Sequence, residues 1–436
     1  MNKQTKFKQT EIGMIPEDWE VKLIHEVAEV VGGGTPSTKN PEFWDGDIAW
    51  ITPKDLSNFK FRYIRGGERS ITKKGLENSS AKLLPKDTVL LTTRAPVGYL
   101  AIAEEELSTN QGLRSLIPKG NVKSKYLFYL LKRNVEILKS NAGGTTFGEL
   151  SGGRLKALKF AFPKIEEQSA IAAILSSLDD KIELNQKMNK TLEEIGQAIF
   201  KHWFVNFEFP NEEGKPYKSS GGEMVYNEEL EEEVPKGWKV GYLGDKVLSN
   251  ILNSGIYRFE GEKIYLDTAS VQGTGIVELS TKITFEQRPS RANMQPKPST
   301  VWFAKMKDSK KILYFDDYSE YAISNFILST GFAGLDVKKY ALYYIWSLIS
   351  RDEFELEKDN LCNGTTMQAI NNENITKIKL LTPPKDILEK FNIIIKPIYR
   401  KSYCNWLQNL SLSQIRDSLL PKLMSGKVRV LLEEVK

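Results

Sequence analysis

The sequence predicts a mixed α/β (α+β) chain built as two similar lobes, each running into a long helix. Three observations carry that expectation. Gly144-Thr145-Thr146 recurs as Gly364-Thr365-Thr366, 220 residues later. Each copy leads through a polar stretch to an apolar run ending in proline, Phe160-Ala161-Phe162-Pro163 and Leu380-Leu381-Thr382-Pro383. After each proline, apolar residues recur at helical spacing. Ile171, Leu175, Leu178, Leu192, Ile195 and Ile199 have counterparts in Phe391, Ile395, Ile398, Leu412, Ile415 and Leu419. The openings of the two halves match as well: Ile15-Pro16-Glu17-Asp18-Trp19 and Val234-Pro235-Lys236-Gly237-Trp238. A solenoid repeat would run roughly 20–50 residues. The repeat here is therefore a duplicated lobe-plus-helix module. A pseudo-twofold chain of two similar, non-identical lobes suits an asymmetric, two-part ligand.

The first lobe is expected over 1–163. Within it Val27-Ala28-Glu29-Val30-Val31 stops at Gly32-Gly33-Gly34-Thr35-Pro36, while Asp47-Ile48-Ala49-Trp50-Ile51 and Asp87-Thr88-Val89-Leu90-Leu91 have strand character. Tyr126-Leu127-Phe128-Tyr129-Leu130-Leu131 has helical spacing, given the residues that follow. A long helix is expected over 164–209, with Leu175, Leu178, Ile182, Leu192, Ile195 and Ile199 on one face and charges such as Asp180, Lys181 and Glu194 elsewhere. Residues 210–233 are rich in Gly, Ser and Glu and suggest an exposed acidic connector. The second lobe, 234–384, repeats the plan, with strands around Lys263, Gly275 and Thr300 and a helix from Lys339. A second long helix is expected over 385–436. Its stripe of Ile395, Ile398, Leu412, Ile415 and Leu419 is the natural antiparallel partner of the first. Asn185 and Asn405 fall at matched places in the two stripes, where a buried asparagine can fix register. Pro397 is expected to kink the second helix or split it in two.

Composition excludes several classes. No apolar run approaches the roughly 18 residues of a membrane span, and the polar, basic N-terminus has no secretory pattern. Two cysteines, Cys362 and Cys404, are too few for a disulfide framework or a metal cluster, which favours a reducing cytoplasm. The net charge of +5 is modest. Catalytic motifs are missing too. There is no phosphate-binding loop of the G-x-x-x-x-G-K-[ST] kind. Thr382-Pro383-Pro384-Lys385 lacks the amide and the aromatic ring of an adenine-methyltransferase motif, and serves as a helix start. The two histidines, His25 and His202, make neither a zinc site nor a nucleophilic dyad. No catalytic residue, metal ligand or cofactor site is expected in this chain.

Each lobe mixes basic residues with aromatics and turn formers. The candidates for contact with DNA are Lys39, Lys54, Arg62, Arg65, Arg94 and Arg114 in the first, from a wider set that includes Arg69. In the second they are Arg258, Arg288, Arg291, Lys305, Lys307 and Lys310. Lys and Arg neutralise phosphates, and Arg can grip guanine O6 and N7 through two hydrogen bonds. Arg94 stands out because it follows an apolar strand in Thr92-Thr93-Arg94-Ala95-Pro96-Val97-Gly98, and the lysines from Lys305 are its second-half analogue. For any single surface cation, simple solvation is the commoner role.

Four stretches together resemble the specificity (S) subunits of Type I restriction–modification systems: Ile12-Gly13-Met14-Ile15-Pro16-Glu17-Asp18-Trp19; Gly33-Gly34-Thr35-Pro36 with Ile48-Ala49-Trp50-Ile51 and Asp55-Leu56; Gly144-Thr145-Thr146; and Pro163 through Glu167-Gln168 into the long helix. The resemblance spans nearly the whole chain. It implies two target recognition domains, each reading one half of a split double-stranded DNA sequence, spaced by the two long helices. It also implies docking of methyltransferase (M) and restriction (R) subunits, which would carry S-adenosylmethionine, ATP and Mg, around a non-catalytic chain. The second half departs from the pattern: Ile387-Leu388 replaces Glu167-Gln168, and the Gly-Gly-Thr-Pro loop has no clear copy. A fused enzyme and a scaffold without a DNA role are the alternatives. The missing motifs weigh against the first and the basic loops against the second.

Overall fold

A computed structural model describes residues 5–57, 59–94, 96–143, 148–364 and 368–430. The repeated Gly144-Thr145-Thr146, together with Thr365 and Thr366, lies outside the described residues, as does Ala95. The chain forms two units, Met1–Asn185 with Leu407–Lys436, and Gln186–Trp406. Each unit holds one lobe and parts of both long helices.

In the first unit a five-stranded sheet runs in the order Ala28–Gly32, Leu113–Pro118, Val89–Thr92, Leu100–Ala103, Tyr63–Ile64. Its pairs are antiparallel except the last. Val89, Leu90 and Leu91 are all inaccessible, because both faces of this central strand are covered. One face packs on the helix Ser124–Arg133. A smaller sheet places Trp44–Ile51 between Ser108–Thr109, parallel to it, and Arg69–Ile71. Gly33 and Gly34 explain the glycine-rich turn after the first sheet strand. A Cβ on Gly33 would sit 2.0 Å from the carbonyl oxygen of Asn110, and one on Gly34 2.3 Å from the Ala81 amide nitrogen. The amide of Gly34 donates to Thr109 O at 2.9 Å.

The second unit repeats this plan. Ser249–Ile251, Phe332–Val337, Thr300–Ala304 and Ile312–Phe315 form an antiparallel sheet. A second sheet runs Lys282–Ile283, Lys263–Leu266, Phe326–Ser329, Ala292–Met294, and its central pair is again parallel. The same short ladder closes each lobe: Glu20–Leu23 pairs with Lys159–Phe162, and Lys239–Tyr242 with Lys379–Thr382. Residues 210–233 hold more structure than an extended connector. Phe209 stacks on Tyr217 and Trp238, and the hairpin Met224–Asn227 with Glu232–Pro235 mirrors Phe7–Thr10 with Gly13–Pro16.

The first long helix is Ile165–Phe200, extended by a wider turn at Lys201–Val205. The second is Lys385–Met424, unbroken through Pro397. Of the kink or split expected there, the split does not occur. Pro397 lacks an N–H for the carbonyl of Ile393 four residues back, but Ile393 is 74% exposed, so water can satisfy that carbonyl. Within each unit the helices pair antiparallel. In the first, Arg416 bonds Asp179 at 2.7 Å, Asn409 bonds the carbonyl of Ile182, and Leu175 shares a core with Leu420 and Leu423. In the second, Asn189 meets Ser402 and Asn405, while Phe200 packs with Phe391, Ile395 and Tyr399. Leu178, Leu192, Ile199, Ile398, Leu412 and Leu419 are half-buried along these helices. Ile195 and Ile415 are instead 41% and 47% exposed; they sit at the rim of the stripe and correct its expected width.

Candidate DNA interface

The two lobes carry one repeated main-chain arrangement, at the end of an inner strand of the five-stranded sheet in the first and of the all-antiparallel sheet in the second. In the first lobe, after Val89–Thr92, the carbonyl of Thr93 accepts from the Leu150 amide at 2.9 Å. In the second, after Thr300–Ala304, the carbonyl of Lys305 accepts from the Ile370 amide at 2.9 Å. Leu150 and Ile370 are 220 residues apart, the spacing of the sequence repeat. A bridge closes each adjoining loop, Gly143 with Glu149 and Asn363 with Ala369. The strand-end segments named from sequence, at Arg94 and at Lys305, thus occupy equivalent places beside those bridges.

The side chains at the two places differ. Glu149 accepts an ion pair from Arg94 at 3.2 Å and from Arg114 at 3.6 Å. One carboxylate therefore holds two guanidinium groups, leaving the trio net positive. In the second lobe Ala369 stands where Glu149 stands in the first. Lys305 is half-buried with no carboxylate partner among the described residues, and burial pushes its ammonium pKa down. Lys307 is exposed on the same loop, and Lys310 pairs with Asp352 at 2.5 Å. An unneutralised, partly desolvated cation gains most from an incoming anion.

That loop is anchored from below by a residue the sequence reading missed. Lys358, fully buried on the helix Asp352–Asn360, donates to the carbonyls of Met306 at 3.1 Å and Ser309 at 3.5 Å. It pairs with Glu355 at 2.5 Å and Asp359 at 3.4 Å, and Asp359 accepts from the Asp308 amide. Lysine is seldom buried unless paired, and nothing in the helix's own pattern marks Lys358 as internal.

The other candidates divide by partner. Arg62 is 3% exposed, bonded to Tyr129 at 3.0 Å and ion-paired with Asp180 on the first long helix. It ties lobe to helix and is withdrawn as a DNA contact, because its guanidinium faces inward. Burial alone would lower its pKa, but Tyr129 and Asp180 outweigh that and hold it raised. Lys54 pairs with Glu68, Arg65 with Glu104 and Glu105, and Arg258 with Glu286. Lys39 and Arg291 are exposed with no carboxylate partner among the described residues. Arg288 is half-buried, its Cζ 4.1 Å from the centre of the Phe285 ring.

Comparison with known proteins adds to this geometry. A family model described as the Type I restriction modification DNA specificity domain matches residues 16–194. The Type I restriction enzyme MjaIX specificity subunit of Methanocaldococcus jannaschii is 40% identical over 439 residues, covering 98% of this chain and 97% of that protein. The Type I restriction enzyme HindI specificity subunit of Haemophilus influenzae is 25% identical, over 88% of this chain and 94% of its own. Among solved structures, the S subunit of a Type I restriction–modification system from M. genitalium aligns with a TM-score of 0.53 at 18% identity, over 97% of this chain and 99% of that one. This last likeness concerns the fold.

Proposed function

The chain belongs to the specificity subunits of Type I restriction–modification systems, and from that premise we propose that it reads a split, asymmetric double-stranded DNA target, one half with each lobe. Its place in the family is non-catalytic. In this reading 1–163 and 234–384 are the two target recognition domains, 164–209 and 385–436 the spacers, and 210–233 a connector. The chain docks methyltransferase and restriction subunits, and these partners carry S-adenosylmethionine, ATP and Mg. The assembly works in the cytoplasm, and no helix among the described residues is long and apolar enough to cross a membrane.

The observation that carries the proposal is the repeated strand-end arrangement with different side chains: an Arg94–Glu149–Arg114 trio in one lobe and the lysines around Lys305 in the other. Equivalent backbones with unlike chemistry suit two unlike half-sequences. The test compares the purified chain with the chain plus its methyltransferase partner, on DNA and with labelled S-adenosylmethionine. Methyl transfer is expected only with the partner present, at one split sequence. Turnover by the chain alone, or methylation without sequence preference, overturns the proposal.

A further inference from the structure

Each lobe lays an arginine against an aromatic ring, at the three-stranded sheet of the first and just beyond the strand Lys282–Ile283 of the second. In the first lobe the Cζ of Arg69 lies 3.5 Å from the centre of the Trp44 ring. In the second the Cζ of Arg288 lies 4.1 Å from that of Phe285. Resting on the proposed reading of a split DNA target, we infer that Arg69 and Arg288 are base-reading side chains, one per half-target, each taking guanine O6 and N7 in the major groove.

The shelves are fixed. Trp44 is buried, packs edge-on to Trp50 at 5.1 Å, and donates its indole N–H to the Ser37 carbonyl at 3.2 Å. Arg69 opens the strand Arg69–Ile71 and faces Trp50 in the ladder. Phe285 packs edge-on to Phe259 at 5.7 Å, just after the strand Lys282–Ile283. In each lobe one strand, Trp44–Ile51 or Lys263–Leu266, has a parallel neighbour on one side and an antiparallel one on the other. The antiparallel neighbour is Arg69–Ile71 in the first lobe and Lys282–Ile283 in the second, so the two shelves adjoin corresponding strands.

Charge separates these two from their neighbours. Arg65 lies close by Arg69 in sequence and Arg258 near the Phe285 ring in space, but carboxylates hold them. Arg258 is also 6.0 Å from the Phe285 ring, yet Glu286 takes its guanidinium at 3.4 Å. Arg69 and Arg288 have no carboxylate partner among the described residues. Arg69 makes no side-chain hydrogen bond among them, and Arg288 makes one, from Nη1 to the Phe285 carbonyl. Their remaining N–H groups are left for a ligand. A guanidinium stacked on a ring keeps its plane fixed and its donor edge outward. Less rotamer freedom is then lost when the fork meets two acceptors in one plane. Lysine, a point charge on a flexible stem, cannot reproduce that geometry.

The test uses the methyltransferase complex containing the full chain, with the wild-type motif mapped first. Arg69→Lys and Arg288→Lys keep the charge and remove the fork. Each should relax the requirement for one G·C pair, in opposite halves of the target. Discrimination at that pair should fall about 5- to 150-fold with the other half unaffected. Arg69→Ala and Arg288→Ala should do the same. Uniformly weaker binding with a shallower salt dependence and unchanged discrimination would make these arginines phosphate contacts and overturn the inference. Lower thermal stability with the motif intact would make them structural and overturn it too. A wild-type complex with no split motif would instead refute the functional reading on which the inference rests.

Discussion

Asn405 donates its side-chain amide to Oδ1 of Asn189 at 2.8 Å, between facing turns of the two long helices in the second unit. Asn405 is 2% exposed. In the first unit Asn185 donates to Gln408 and Asn409, each at 2.8 Å. A hydrogen-bonded polar layer inside an apolar seam penalises slipped registers, since slippage leaves its members unpaired.

Asn405→Ala removes one partner and leaves the Asn189 oxygen without its donor. Denaturant unfolding should show a loss of about 1–3 kcal/mol. Asn189→Leu combined with Asn405→Leu removes both polar partners and should recover much of that loss. Equal destabilisation by the double variant would show that the pair does not act as a unit.

Arg429 closes the C-terminal segment onto the first lobe. It pairs with Glu167 at 2.6 Å and Asp18 at 2.7 Å, and the indole of Trp19 donates to the same Glu167 at 3.1 Å. Arg429→Ala leaves the Glu167 carboxylate, 7% exposed, facing an unpaired site. The first unit should lose about 1–3 kcal/mol, discounted for the partial exposure of Arg429. The Arg429 hydrogen bond holds the Asp18 carboxyl below its ordinary pKa. That part of the stability is present above the unfolded carboxyl's pKa, near 4, and is lost as pH falls through the lowered value. Melting curves from pH 7 down to pH 3 should therefore fall less for Arg429→Ala than for the parent. Parallel curves would remove Asp18 from the explanation.

Helix length should set the spacing between half-targets. Four residues inserted after Asn189, matched by four after Lys401, add about one turn to each helix, roughly 6 Å. The matched insertion keeps Asn189 and Asn405 out of the added turns but asks the flanking pairs to move together. Along DNA, 6 Å corresponds to roughly two base pairs. The specified bases should stay the same while the unspecified gap grows by about one or two pairs, measured by mapping methylated sites. An unchanged gap in an active complex would show that the helices do not measure it.

The architecture was legible because its signals are periodic. Leu175 and Ile182 recur at helical spacing and are buried, and the 220-residue spacing of the repeat also separates Leu150 from Ile370, which make equivalent bonds. Asn185, inaccessible to solvent, lay within the stripe that sequence identified. Less legible was what neutralises each cation. Arg62 meets Asp180 and Arg94 meets Glu149 only after the chain folds, so sequence could list basic residues but not divide paired from free ones. Lys358 escaped because a charge buried by distant carbonyls has no local pattern. Pro397 does not split its helix, since helix breaking depends on whether the freed carbonyl finds a partner, and Ile393 four residues back is exposed to water.

Mapping the methylated bases of the host genome with this gene intact and deleted measures the central claim directly. The expected result is one methylated motif, made of two short specified parts around an unspecified gap, that vanishes with the deletion. A continuous motif, or a methylation pattern that survives the loss of this chain, would contradict it.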